Sequence, residues 1–143
     1  MMKRLQKWSN PFQAMITTTP DGSIYMRRFV LLETPWTRIY VHNLCSSDPD
    51  PDLHDHPWSF VSIILKGGYS EHTPKGVFER RAGQIIFRRA GSPHHLELTE
   101  PAWTMIITGK VVREWGFLTA NGWESREEHV RKEEAKKALQ EQT

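Results

Sequence analysis

The sequence predicts an all-β sandwich or barrel followed by a short C-terminal α-helix, and three observations carry that prediction. Turn signals made of Gly, Pro, Asn and Asp recur roughly every 8 to 12 residues along most of the chain. The segments between them alternate apolar and polar side chains with period 2, and no helical period interrupts them before residue 125. From Ser125 the composition then changes to Glu, Lys and Ala behind a Ser-x-x-Glu capping box, Ser125 to Glu128. We therefore divide the chain into a β domain, residues 1–124, and a helical tail, 125–143.

Composition narrows the functional classes. A chain of 143 residues is expected to form one domain with a core of its own. The 38% apolar and 25% charged fractions are those of an ordinary globular protein. Apolar runs such as Val61 to Leu65 are far too short to span a bilayer, and no apolar region follows the basic start, so no membrane partner or signal peptide is expected. Cys45 is the single cysteine, which precludes an internal disulfide and fits a cytoplasmic location. A net charge of +2 is too small and too evenly spread for a nucleic-acid surface.

Taken in order, residues 1–11 read as an irregular arm, with Trp8 and Phe12 placed to pack on the domain. Ala14 to Thr18 and Ser23 to Glu33 flank an Asp21-Gly22 turn as a hairpin. After Thr34-Pro35, Trp36 to Leu44 alternates, putting Arg38, Tyr40 and His42 on one side. Asp48 to Asp52 alternates Asp with Pro and makes a stiff acidic loop, because each Pro fixes its own φ and extends its predecessor. Leu53 to Leu65 reads as a central strand or strand pair ending at Gly67-Gly68. Tyr69 to Thr73, Val77 to Arg81, Gln84 to Arg89 and His94 to Leu98 follow as strands between turns. Pro101 to Thr108 and Val111 to Thr119 read as a last hairpin. The tail's apolar face is thin (Val130, Ala135, Ala138, Leu139), which predicts a largely solvated helix.

Chemistry concentrates at His54-Asp55-His56. Side chains two apart on an extended backbone share a face, so the two imidazoles can converge on one ion. Downstream, residues 83–94 read Gly83-x5-Arg89-x-Gly91-x2-His94. Together with residues 53–68 this spacing resembles the two signature motifs of the cupin superfamily, over about residues 36–118. The resemblance implies a jelly-roll barrel and a metal site in which His54, His56 and His94 are the ligands. Val61 stands in the slot where most cupins supply a Glu ligand, Arg89 where the second motif has Pro, and the first motif's opening Gly is absent. The implied cofactor is a divalent transition metal (Fe, Zn, Ni or Mn), and the implied partner is a small anionic molecule.

Around these ligands the sequence offers further candidates, each with a plainer alternative. Trp58 and Phe60 share parity with His56 and are expected to wall the pocket, a place that core aromatic residues also fill. His42, with Tyr40 and Arg38 on its side, is a candidate substrate contact or a surface histidine. Glu71 and Tyr69 share a face and are candidates for acid–base work. Of Arg88 and Arg89 one must face inward, and Arg89, inside the second motif, is taken as the carboxylate-binding candidate. His95 faces away from His94, and His72 and His129 show no partner pattern. The expected function is metal-dependent chemistry on a small anion, Fe(II) dioxygenation ahead of isomerisation. Two alternatives stand beside it, a non-catalytic binding jelly roll and a metal-free relative of sugar-nucleotide epimerases. Exposed sheet edges make a homodimer the expected assembly.

Overall fold

A computed structural model describes residues 14–143. The expected arm, with Trp8 and Phe12, lies outside the described residues. The first hairpin forms as expected: β1 (Met15–Thr18) pairs antiparallel with β2 (Ile24–Glu33) across a turn that Asp21 closes by accepting from the Ser23 amide at 3.0 Å. β2 then pairs with β3 (Arg38–Leu44). The predicted central segment is a strand pair: β4 (Leu53–His54) ends one residue after the first motif opens, and β5 (Phe60–Lys66) begins beyond Pro57. A proline cannot donate to a ladder, so a break there follows from the sequence.

The remaining strands are β6 (Gly68–Thr73), β7 (Gly76–Arg81), β8 (Ile85–Arg88), β9 (His95–Glu97), β10 (Ala102–Thr108), β11 (Gly116–Thr119) and β12 (Gly122–Ser125), followed by α1 (Arg126–Glu141). They form three hydrogen-bonded sheets and not one closed barrel: β1-β2-β3-β10-β5-β8, β12-β11-β4 and β7-β6-β9. One expectation fails here. The predicted hairpin of 101–108 with 111–119 does not form, because β10 lies between β3 and β5 in the large sheet while β11 pairs with β4 and β12. The connection crosses between layers, a long-range arrangement that local alternation cannot reveal.

The chain also changes sheets at Gly67-Gly68. Gly67 has φ of 74°, and a Cβ on Gly68 would overlap the Arg80 carbonyl oxygen, so this corner needs glycine at both positions. Inward-facing residues of β5, namely Phe60, Ser62 and Ile64, alternate with outward Val61 and Ile63. Ile64, Met26, Leu44, Ala102 and Ile86 from the large sheet pack with Tyr69 of β6 into the core. On the outer face of the large sheet, Ile85 and Phe87 of edge strand β8 are 70% and 62% exposed.

Helix α1 is capped as predicted, with the Glu128 amide donating to Ser125 Oγ at 3.3 Å. Most of its length is solvated, and Leu139 is 66% exposed. Its first turns are different. His129, which had shown no partner pattern, is buried, stacks on Phe117 with ring centroids 4.1 Å apart, and meets Glu124 and Asp50 at 3.1 and 2.6 Å.

Candidate metal centre

Two of the three histidines are brought together by backbone pairing. The His54 amide donates to the His94 carbonyl at 2.9 Å and the His94 amide to the His54 carbonyl at 2.8 Å, which sets the two side chains beside each other. His56, two residues on, completes the group: ring centroids are 5.1 Å (His54–His56), 4.9 Å (His54–His94) and 5.2 Å (His56–His94) apart. One ring nitrogen from each lies within 4.8 Å of the others, and the Nε2 atoms of His56 and His94 are 3.1 Å apart. Ligands about 2.1 Å from a tetrahedral ion sit roughly 3.4 Å from one another, so the group fits a divalent ion.

Burial favours the neutral form of His54 and His56, as a ligand requires. It lowers the pKa of His54 to about 4 and that of His56 well below its usual value, with neighbouring imidazoles adding to the effect on both. Asp48 opposes this at His54, its carboxylate lying 3.6 Å from Nδ1. Asp48 is itself fixed by the Leu96 amide at 2.7 Å and by the Tyr25 hydroxyl.

His94 is oriented from behind. Its Nδ1 is 2.8 Å from Glu71 Oε1, and Glu71 accepts further bonds from Arg80 Nε (2.7 Å) and Arg88 Nε (2.8 Å). Burial alone would raise the Glu71 pKa. The bonds from His94, Arg88 and Arg80 outweigh burial and hold it at about 2. Glu71 is therefore a permanent carboxylate that fixes the His94 ring with Nε2 toward the cavity. This corrects its expected role as an acid or base. Its strand neighbour Tyr69 is buried and lines the cavity, and burial raises its phenol pKa.

The imidazoles open onto a cavity of about 130 Å³. Trp58, Phe60, Tyr40 and His42 line it, as the sequence suggested. Phe60 packs against His56 with ring centroids 4.9 Å apart. Three expectations are corrected. Arg89 is exposed beyond the end of β8, and Arg88 is the member of the pair that points inward, because Arg88 is in register with inward-facing Phe60. Arg38 does not line the cavity; its guanidinium lies 5.6 Å from the Trp58 ring centroid and 4.0 Å from Glu33. Val61 is not beside the histidines. It pairs with Phe87 and Ile107 and faces outward, so no side chain stands in the Glu-ligand slot at that position.

Sequence reasoning also missed Asp55. It is 1% exposed and accepts from Gly116 N at 2.7 Å, Arg113 Nη1 at 2.7 Å and Trp123 Nε1 at 2.9 Å. A Cβ on Gly91 would overlap Arg113, so that glycine leaves room for the arginine. Asp55 thereby ties the histidine segment to β11 and β12. The signal was present: a carboxylate between two inward histidines must face the opposite way, into whatever packs there.

No sequence-family model matches the chain, and no curated protein matches it by sequence. Its shape does match solved structures. A protein with a double-stranded β-helix domain from Klebsiella pneumoniae is 17% identical with a TM-score of 0.51, covering 78% of this chain and 88% of its own. A cupin-2 domain protein from Shewanella frigidimarina is 18% identical at TM-score 0.50, covering 58% and 79%. The fold is that of the cupins. Among such cupin-fold structures, the polyketide cyclase RemF from Streptomyces resistomycificus is 18% identical at TM-score 0.57, covering 76% of this chain and 80% of its own.

Proposed function

We propose that this cupin-fold protein holds one divalent transition metal through His54, His56 and His94 and carries out metal-dependent chemistry on a small anionic molecule. The observation that carries the reading is the convergence of three imidazoles on one cavity, with His94 aimed by Glu71. Neutral ligands leave a bound ion its full double charge, so it would act as a Lewis acid and attract an anion. The protein's own part is to exclude water with Trp58 and Phe60, to favour the neutral form of His54 and His56 by burial, and to fix the His94 ring through Glu71. The all-histidine set favours Fe(II)-dependent dioxygenation over isomerisation, and a cavity of about 130 Å³ is too small for a sugar nucleotide. That a solved neighbour of this fold is a polyketide cyclase supports an enzymatic role and not a particular reaction.

Elemental analysis after loading with Fe(II), Zn(II), Ni(II) or Mn(II), followed by oxygen-uptake assays, tests this. One equivalent of metal is expected in the wild type and none in His54→Ala, His56→Ala or His94→Ala, while His95→Ala keeps it. Loss of metal in His95→Ala but not in His94→Ala would overturn the ligand set.

A further inference from the structure

We propose that the outer face of the large sheet is the contact surface of a two-fold dimer, and that what covers it is the same face of a second copy of this chain. The homodimer expected from exposed sheet edges is thereby moved to a sheet face.

Strand register lays the face out. Phe29, Val41, Met105, Ile63 and Ile85 are successive cross-strand partners over β2, β3, β10, β5 and β8. Leu32, Ile39, Ile107, Val61 and Phe87 form the next row on the same side. All ten side chains are apolar, and none is buried, whereas Tyr40, Phe60, Ser62, Ile64 and Ile86 on the opposite side of these strands are. The helix does not serve as a cover, since it packs on β11 and β12. An antiparallel sheet with one solvated face alternates apolar residues with polar ones. β5 instead turns Val61 and Ile63 outward, where polar side chains belong.

Area decides what fits. Five strands about 4.8 Å apart and rows about 7 Å apart, extended on β10 and β5 by Trp103 and Leu65, make a footprint of roughly 24 by 20 Å, or about 500 Å². That matches the largest apolar patch of a typical monomer. Two such faces packed together remove about 1,000 Å² even in flat projection, which reaches the size of a specific interface. The chain outside the described residues supplies five large apolar side chains, Met1, Met2, Leu5, Trp8 and Phe12, half as many as the two rows. A second copy supplies ten in matching rows.

Charge favours the same occupant. Neither row holds a charge that its own image would repel, and Arg27, in the row beyond them, donates to Asn43 Oδ1 at 2.9 Å and to Cys45 Sγ at 3.2 Å. A two-fold contact joins a patch to itself, so two uncharged apolar rows are self-complementary. Aligned sheets then stack about 10 Å apart.

Sedimentation velocity of the full chain from about 1 to 100 μM tests this. Wild type should sediment at twice the chain mass of 16.7 kDa. Phe87→Lys and Ile85→Lys on β8, and Leu32→Lys four strands away on β2, should each raise the dissociation constant at least about tenfold. Val77→Lys, at a 57% exposed position on β7, should leave it unchanged. Ile85, Phe87 and Leu32 are the most exposed of the ten, so their lysine variants should keep the wild-type circular dichroism spectrum. A wild type that stays monomeric at about 100 μM, or face variants that dimerise like wild type, overturns the proposal. Dissociation by the β8 variants with Leu32→Lys unaffected would overturn it in favour of pairing between β8 edges. A monomeric wild type that dimerises on Trp8→Ser would overturn it in favour of the chain's own first residues as the cover.

Discussion

His94 and His129 are both buried, 6% and 4% exposed, and both meet a glutamate, yet their surroundings hold them differently. At His94 the carboxylate of Glu71 is already neutralised by Arg80 and Arg88. That glutamate orients the ring through Nδ1 and leaves Nε2 facing two other imidazoles. At His129 both ring nitrogens are taken by carboxylates, Glu124 and Asp50. Burial would lower its pKa, but those bonds outweigh burial and raise it, and through both ring nitrogens His129 fastens α1 to the domain. Glu124 is itself paired with Lys132 at 2.7 Å, so a cation beside the glutamate is common to both sites. What separates them is that His129 meets a carboxylate at each ring nitrogen, while His94 meets one carboxylate and, through Nε2, the His56 imidazole.

The most damaging way to test the contrast is Glu71→Ala. It leaves Arg80 and Arg88 without their carboxylate and should cost roughly 3–5 kcal/mol in urea unfolding. In whatever folds, metal affinity should fall about 10- to 100-fold, since the His94 ring is no longer held. Wild-type metal affinity in this variant would show that Glu71 is packing only. His129→Ala should cost about 2–3 kcal/mol through its charge-assisted bonds, with metal binding untouched. A metal-binding defect there would erase the distinction between the two sites.

Stability against pH sharpens it further. The Glu71 pKa is lowered from 4.5 to about 2, so its contribution is complete above about pH 4.5 and is lost as pH falls toward 2. His54, lowered from 6.5 to about 4, adds a loss as pH falls between those values. His129 works in the opposite sense. Its pKa is raised above 6.5, so its contribution is complete below 6.5 and is lost as pH rises through the folded value. Glu71→Gln should flatten the acid limb of the melting-temperature profile and His129→Ala the alkaline one; no change in either limb would refute the assignment. The smallest effect is expected for Val61→Glu. Its outward side chain should change the stability of the protomer by about 1 kcal/mol or less, equally with and without metal. A metal-dependent rise in its melting temperature would return Val61 to the cavity.

Much of the site was legible because period-2 alternation fixes facing wherever a strand is regular. Tyr40 and His42 on β3 share parity and the cavity wall, while His56 and Trp58 reach the same wall from the segment between β4 and β5, which is not strand. Parity also foretold that one arginine of the 88–89 pair faces inward, but not which, since that depends on the register of β8 with β5. Counting five residues from His56 to Val61 failed for a related reason. Pro57 ends the extended run, and the inward positions resume at Phe60 and Ser62.

The sequence by itself determined the all-β class, the capped helix and the three histidines, because turn chemistry, alternation and capping are local and need only neighbouring residues. Only the tertiary structure decided the rest. The crossing of β10 and β11 into different sheets, Arg80 and Arg88 converging on Glu71, the Asp55 tie and the His129 clamp all join segments far apart in the chain. Their chemistry depends on burial and on which charges face one another, and neither is a property of the local sequence.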